Sequence, residues 1–385
     1  MKAIVNGVFL VGDEEIRQGA LLFDRAIIGL VPQDSLPEGT DIIDAEGLFV
    51  SPGLMDLHIH GFKGEDTSDG SLDGIRAIAK SLPANGVTSF LPTTMTVSWA
   101  EIEAAFDNVR QVRTESARPG FDGAQVLGAH AEGPFINPKR KGAQSELAIL
   151  PPDAKRILQH KDIVRILTMA PEMPGGLEAI RQITAQSDIV VSIGHTNADY
   201  GVAVQAIQAG ASYVTHLFNA MTGLNHRDPG VVGAALTHPV VTELIADTFH
   251  VHASLFGLLY NVKGGKLVLV TDCTRAGGLG DGEYSLGGQP IFVRGIECRL
   301  ADGTIAGSVL QLNQAVRNLR DHAGLSMAQA VGAASINAAR AIGQEQHKGS
   351  LEAGKDADIV LFDRNVQARK TFVLGELKYT QGKMQ

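Results

Sequence analysis

Short apolar runs rich in β-branched residues alternate with longer runs of helical periodicity between residues 53 and 345. This alternation is typical of β-strand and α-helix units that build a parallel sheet. In one unit, apolar residues recur at helical spacing over 75–82, Gly86 ends the helix, and residues 87–91 read as a buried strand. The apolar runs predict eight strands, near residues 51–59, 87–93, 126–132, 164–170, 189–195, 213–218, 240–246 and 266–272.

Eight parallel strands are the number that closes a barrel, although a doubly wound open sheet would give a similar pattern. The two ends of the chain read differently, as short strands separated by Gly, Pro and Asp. The sequence therefore predicts an α/β protein, a (β/α)8 TIM-like barrel with a small β-sandwich domain formed from both chain termini. The predicted barrel spans residues 53–347, and the predicted β domain spans residues 1–52 and 348–385.

Composition restricts the partners and the compartment. The chain has 385 residues, 44% hydrophobic and 19% charged, with a formal net charge of -9. An acidic chain is a poor general binder of nucleic acids or anionic membranes, which a cationic surface attracts. Only two cysteines occur, Cys273 and Cys298, which favours a reducing compartment. No run reaches the ~18 apolar residues that span a bilayer, and the first residues lack a signal-peptide pattern, so we expect a cytoplasmic protein.

The strongest local motif is His58-Ile59-His60 in the first predicted strand. Residues two apart in a strand face the same side, so both imidazoles can point to one metal ion. Packed or exposed histidines are the alternative interpretation. Four further candidates each lie at the C-terminal end of a predicted strand, the face on which such barrels build active sites: Glu132, His195, His216 and Asp272. His130 lies two residues before Glu132, and we interpret it as a neighbour of the ligands.

These segments resemble a known family. The PGxxDxHxH motif at residues 52–60 and the closing segment 348–360 resemble the amidohydrolase superfamily. Within it, five segments resemble the motifs of N-acetylglucosamine-6-phosphate deacetylases: 130–135 (HAEGPF), 194–196 (GHT), 215–221 (THLFNAM), 270–272 (VTD) and 306–308 (AGS). Many superfamily members use a carbamylated lysine where this chain has Glu132, which favours the deacetylase branch. The resemblance implies hydrolysis of N-acetylglucosamine 6-phosphate to glucosamine 6-phosphate and acetate, in amino-sugar catabolism.

The resemblance also implies the metal ligands. Glu132, His195 and His216 would hold the main divalent ion, Zn, Fe or a similar metal. His58 and His60 would hold a second ion in members that bind two. An amide needs a strong nucleophile, and a bound metal lowers the pKa of water from about 15.7 to about 7, which is roughly 12 kcal/mol of help. Asp272 would accept the proton of the attacking water and return it to the leaving amine.

For the substrate, the resemblance implies a phosphate site in which Arg227 reaches across the interface of a homodimer. Arginine suits this role because its planar fork matches phosphate geometry. His250 would contact the sugar. The full set of implied substrate-binding residues is Ala143, Gln144, Asn219, Ala220, Arg227, His250, Ile305, Ala306, Gly307 and Ser308.

The chain departs from the family pattern at Gln144, where some members have a histidine that positions the acetamide. An amide can donate a hydrogen bond but cannot titrate, so carbonyl polarisation would depend more on the metal. The basic run Lys139-Arg140-Lys141 reads as a solvated face.

Two other functions stay open. Another amidohydrolase, such as a dihydroorotase-like enzyme or an N-acyl-amino-acid deacylase, would share the metal ligands but not the phosphate contacts. A catalytically silent scaffold would be expected to lose ligands, and this chain keeps them all.

Overall fold

Eight parallel strands form a barrel in the computed structural model, which describes residues 1–382. Strand one is closed onto the segment after strand eight by two backbone bonds, Asp272 N–H to the His58 carbonyl at 2.8 Å and His60 N–H to the Cys273 carbonyl at 2.9 Å. The predicted barrel architecture is confirmed. Barrel strands one to eight are Leu54–Ile59, Val87–Thr94, Gln125–Val126 continued by Ala129–Glu132, Val164–Met169, Val190–Ile193, Tyr213–Val214, Val241–Ile245 and Leu267–Val270.

All eight strands differ from their predicted bounds by at least one residue, and two of the differences have a clear physical cause. The run predicted as 51–59 belongs to two sheets, because Phe49–Pro52 pairs with a strand from the other end of the chain. Gly53 separates the two strands, and a Cβ there would lie 2.0 Å from the Thr88 Oγ1 atom, so only glycine fits this close approach. Strand six ends at Val214 because the backbone leaves the sheet before His216, whose φ is 28°.

Helices surround the barrel and follow its strands. Ser98 and Glu101 form a capping box on the longest helix, and the Asp199 side chain accepts from Val202 N–H at the start of another. The apolar faces of the helices pack onto the outside of the barrel, where residues such as Ile75, Phe106 and Ile180 are fully buried in one large core. The α-helices are Leu72–Ser81, Trp99–Ser116, Ala154–Leu158, Gly176–Gln186, Tyr200–Gln208, Gly230–Thr237, Phe256–Lys263, Leu312–Ala323, Met327–Gly332 and Ile336–Ala341. Short 3-10 helices are Gln33–Ser35, Thr67–Asp69, Leu82–Asn85, Pro138–Arg140, Glu146–Ala148, Ala253–Leu255 and Gly264–Lys266.

Two further sheets are built from the chain ends. The four-stranded sheet has the order Ile27–Val31, Ala20–Phe23, Lys2–Val5, Asp41–Asp44. The six-stranded sheet has the order Glu376–Thr380, Ala368–Val373, Ile359–Phe362, Phe49–Pro52, Val8–Val11, Glu14–Ile16. Ile4 and Phe23 of the first sheet share a buried core with Phe9 and Phe372 of the second. The domain boundaries near 52 and 347 stay a prediction, and residues 383–385 of the predicted domain lie outside the described residues.

An antiparallel three-stranded sheet follows strand eight and was not predicted from the sequence. Its strands are Gly282–Leu286, Gln289–Arg294 and Glu297–Leu300. Alternate residues Ile291 and Val293 are buried in a small core together with Met95 of the barrel. We call this sheet the insertion sheet. Among residues 1–382, no helix combines the length and apolarity that crossing a membrane requires.

Candidate active site

Six side chains of metal-binding type meet at the C-terminal end of the barrel. His58 and His60 come from strand one and Glu132 ends strand three. His195, His216 and Asp272 each follow the end of their strands. All six are buried, Asp272 being the most exposed at 8%. The structure therefore brings together every metal ligand and the acid–base residue that the sequence nominated, while their roles stay predictions.

The first trio consists of Glu132, His195 and His216. Glu132 Oε1 lies 3.2 Å from His195 Nε2 and 3.1 Å from His216 Nε2. The two Nε2 atoms are 3.1 Å apart. His195 Nδ1 lies 2.9 Å from the Arg140 carbonyl and donates to it, which leaves the Nε2 lone pair directed at the trio. Strands three, five and six thus each supply one ligand atom to a common centre.

The second trio consists of His58, His60 and Asp272. Asp272 Oδ1 lies 3.3 Å from His58 Nε2 and 3.2 Å from His60 Nε2. Glu132 joins the two trios, because its Oε1 also lies 3.3 Å from His58 Nε2 and its Oε2 lies 3.3 Å from His60 Nε2. The two trios form one continuous cage around a shared carboxylate.

The chemistry of the cage fits a divalent metal ion. Nε2 atoms that face each other at 3.1 Å cannot both carry a hydrogen, whereas a cation between them accepts both lone pairs. Imidazole nitrogens and carboxylate oxygens are the ligands that Zn²⁺ and related ions use. The ligand atoms of each trio all lie within 4.8 Å of one another, and all the residues are buried.

The charges of the cage stabilise one another. Burial alone would raise the pKa of Asp272, but the imidazoles of His58 and His60 lower it to about 2. Burial alone would lower the pKa of His60, but its hydrogen bonds with Asp272 and Glu132 raise it to about 9. The pKa of Glu132 is also held well below its ordinary value, where His58 and His195 outweigh burial. Metal binding replaces protons on imidazoles, so the same carboxylates that raise the His60 pKa would attract a cation.

Three of the six residues have a left-handed backbone, which non-glycine residues rarely adopt. The φ angles are 46° at His195, 28° at His216 and 49° at Asp272. Each residue lies two positions after the end of its strand, and all three line the cleft at the C-terminal end of the barrel. Such conformations cost of order 1–3 kcal/mol each and cluster at functional sites.

A cleft of about 330 Å³ opens above the cage. Its lining includes residues nominated as substrate contacts: Ala143, Gln144, Asn219, Ala220, His250, Ile305 and Gly307. The Gln144 amide has a fixed orientation, because Thr96 N–H donates to its Oε1 at 2.6 Å and its Nε2 donates to Glu132 Oε2 at 2.5 Å. His250 Nδ1 donates to Asp247 Oδ2 at 2.6 Å, which leaves Nε2 free for a ligand.

Three nominated residues lie elsewhere. Ala306 and Ser308 are fully buried, and the Ser308 hydroxyl donates to the Thr271 carbonyl at 2.6 Å. Arg227 lies in an exposed loop and does not line the cleft of its own chain. These placements leave the roles of the three residues as predictions.

Sequence reasoning missed part of the cleft wall. Lys139 and Arg140, which were read as a solvated run, line the cleft. Met95 lines it too, together with Leu286 of the insertion sheet. The sequence did contain a signal for Lys139 and Arg140, because they lie a few residues after Glu132, which ends strand three. No periodicity marks the other two as cleft residues.

Comparisons with known proteins agree with this geometry. The model described as Amidohydrolase family matches residues 49–378. The chain is 41% identical over 334 residues to the N-acetylglucosamine-6-phosphate deacetylase of Bacillus subtilis (strain 168), covering 85% of this chain and 84% of that one. It is 35% identical over 352 residues to the N-acetylgalactosamine-6-phosphate deacetylase of Escherichia coli O157:H7, covering 89% and 90%.

Solved structures show the same similarity. The N-acetylglucosamine-6-phosphate deacetylase from Pasteurella multocida is similar with a TM-score of 0.93 at 32% identity, over 98% of this chain and 100% of that one. A mutant of the Mycobacterium smegmatis enzyme of that name, in complex with N-acetyl-D-glucosamine-6-phosphate, is similar with a TM-score of 0.89 at 31% identity, over 98% and 99%.

Proposed function

The chain belongs to the amidohydrolase family, and from this premise we propose that it is a metal-dependent N-acetylglucosamine-6-phosphate deacetylase. The reaction is hydrolysis of a linear amide C–N bond, which releases glucosamine 6-phosphate and acetate. The observation that carries the proposal is the continuous cage around Glu132 at the floor of a sugar-sized cleft. A catalytically silent scaffold would not require these buried carboxylates and imidazoles.

The cage would hold its ions in two places. Glu132, His195 and His216 would bind the main ion, and His58, His60 and Asp272 offer ligands for a second. A bound divalent ion supplies Lewis acidity, which polarises a carbonyl and lowers the pKa of water. The ion would be zinc, iron or a similar divalent metal.

The chain's own residues supply the proton transfers. Asp272 lines the cleft, and His58 and His60 lower its pKa, so its carboxylate is ionised at neutral pH and can accept a proton from the attacking water. Oxygen then bonds to the acetyl carbon, the C–N bond breaks, and Asp272 returns the proton to the leaving amine. The fixed Gln144 amide directs its Nε2 toward the cage, where it can orient the acetyl group.

The phosphate end of the cleft would be formed by Asn219 and Ala220, with Arg227 contributed by a second copy in a homodimer. The exposure of Arg227 outside its own cleft supports this arrangement. We also propose a cytoplasmic location, supported by Cys273 and Cys298, which are both free thiols.

Acetate release tests the proposed function. We expect the metal-replete protein to release acetate rapidly from N-acetylglucosamine 6-phosphate and slowly from the unphosphorylated sugar. The assay also tests N-acetylgalactosamine 6-phosphate, because one relative, 35% identical, is an N-acetylgalactosamine-6-phosphate deacetylase. A preference for that sugar would change the proposed substrate. Turnover only of dihydroorotate or of N-acyl amino acids would replace the proposal with the other amidohydrolase function.

Mixing two impaired variants tests the shared site. Arg227→Ala should raise KM for the sugar phosphate by about 10- to 100-fold, because it removes a hydrogen bond to a charged group, which contributes about 1.5–3 kcal/mol. Asp272→Asn should be nearly inactive. Co-expression of both variants creates mixed dimers with one intact site if Arg227 acts across the interface, and activity at low substrate concentration should return. No return of activity would place Arg227 in its own subunit's site or outside any site.

A further inference from the structure

Glu243 is a buried carboxylate that neither trio contains. It lies in the middle of strand seven, between Thr242 and Leu244, and none of its surface is exposed. An ionised carboxylate buried without partners costs several kcal/mol, so its presence in an apolar strand needs a compensating interaction. The compensation comes from the metal cage directly above it.

One oxygen of Glu243 makes both of its hydrogen bonds. Oε2 accepts from His58 Nδ1–H at 3.0 Å and from the backbone N–H of His216 at 2.8 Å. The other oxygen, Oε1, has no hydrogen-bond partner among residues 1–382. Both hydrogen bonds that Oε2 accepts therefore come from residues of the cage, one in each trio.

The contact fixes the tautomer of His58. With the hydrogen on Nδ1, the lone pair of Nε2 faces Glu132 Oε1 and Asp272 Oδ1, each at 3.3 Å. His60 and His195 direct their Nδ1 atoms to backbone carbonyls of Thr93 and Arg140. A carboxylate raises the basicity of a ligand imidazole more than a carbonyl does, because it carries a full charge.

The cluster of His58, His130 and Glu243 could be mistaken for a third metal site. Both nitrogens of His130 already have partners, with Nδ1 at 3.0 Å from the Leu57 carbonyl and Nε2 at 2.8 Å from Thr168 Oγ1. No lone pair of His130 is left for a cation, so this cluster is not a third metal site.

We propose that Glu243, anchored by the His216 N–H, is a positioning residue that orients His58 and thereby sets the affinity of the second trio for its divalent ion. The inference rests on the proposed metal-dependent function. Glu243 belongs to neither trio and does not line the cleft, so its contribution to metal affinity acts through His58.

A chelator competition with Zn²⁺ tests the inference without substrate. The variants are Glu243→Gln, His58→Ala and the double variant. Glu103→Gln is the matched control, because Glu103 also contacts a histidine, His160, away from the cage. We expect Glu243→Gln to weaken Zn²⁺ binding at the second trio about 10- to 100-fold, and Glu103→Gln to stay within about twofold of wild type. In the His58→Ala background, Glu243→Gln should weaken binding by about threefold or less, because its effect passes through His58.

Thermal unfolding of the metal-free variants separates positioning from general destabilisation. The metal-free Glu243→Gln protein should unfold as cooperatively as metal-free wild type. Unchanged Zn²⁺ affinity in Glu243→Gln, or an equal loss with and without His58, would overturn the inference while the proposed function stands. If wild type itself bound no divalent ion, the proposed function and the inference would both be wrong.

Discussion

Glu132 of the first trio also faces the second trio, but the two trios are built in different ways. In the second trio, His58 and His60 lie two residues apart in one regular strand, whose pleat directs both side chains inward. In the first trio, each ligand comes from a different strand, and both histidines have a left-handed backbone. The pleat of one strand is enough to bring His58 and His60 of the second trio together. The first trio forms only when the barrel closes and when both of its histidines adopt the left-handed backbone. A ligand pair in one strand is therefore robust, and a ligand set from three strands depends on the whole barrel.

The largest effect is expected where the trios meet. Glu132→Ala removes a ligand from the first trio and the carboxylate that faces the second, so metal content should fall to zero. Without the ion, the roughly 12 kcal/mol that a metal supplies for making hydroxide is lost, and turnover should be undetectable. Metal analysis measures the metal content, and acetate release measures turnover. The control Glu103→Ala should keep full metal content, and a Glu132→Ala protein that kept its metal would show that the trios are independent.

Asp272→Asn separates proton transfer from binding of the main ion. The amide cannot accept a proton, so kcat should fall by about 10²- to 10⁴-fold, the usual contribution of a general base. The first trio is untouched and should retain its ion in metal analysis, with an unchanged unfolding midpoint. Asp162→Asn, which alters a surface ion pair with Arg110, serves as the control. Turnover close to wild type would remove Asp272 from the mechanism.

The smallest effect is expected from Gln144→Leu, which tests whether the two oxygens of Glu132 serve different trios. Gln144→Leu removes the donor to Oε2, the oxygen that faces His60, and leaves Oε1, which faces both histidines of the first trio and His58. We expect about 10-fold weaker Zn²⁺ binding at the second trio and less than about twofold at the first, measured in a two-step titration. Gln111→Leu, which removes a surface hydrogen bond to Glu115, should change neither step. Equal weakening at both trios would contradict the division between the oxygens.

The sequence predicted the barrel because its alternation of strand and helix patterns is local and repeated eight times. His58 and His60 were predictable for the same reason, since their spacing equals the period of a strand. Glu132, His195, His216 and Asp272 were nominated by their positions at strand ends and by family resemblance. Their mutual distances could not be predicted, because each depends on the closure of the barrel and on backbone turns such as the one at His216.

The remaining misses have physical causes. The insertion sheet follows strand eight with its own alternation, at Ile291 and Val293, which the repeating barrel pattern does not contain. Lys139 and Arg140 were read by composition, which favours a solvated face, but their position after strand three brings them to the cleft. Glu243 carried a readable signal, a single charge within an apolar strand, which marks a buried group that needs a partner.

The pairing of Phe49–Pro52 with Ile359–Phe362 has a consequence for synthesis in the cell. At about 5–20 residues per second, the ribosome needs roughly 15 to 60 s to make the residues between these strands. All eight barrel strands emerge during that interval, while Val50 and its neighbours wait for their partner strand. The six-stranded sheet is therefore completed after the barrel, and an interrupted chain carries an apolar strand with one unpaired edge that proteases and chaperones can recognise.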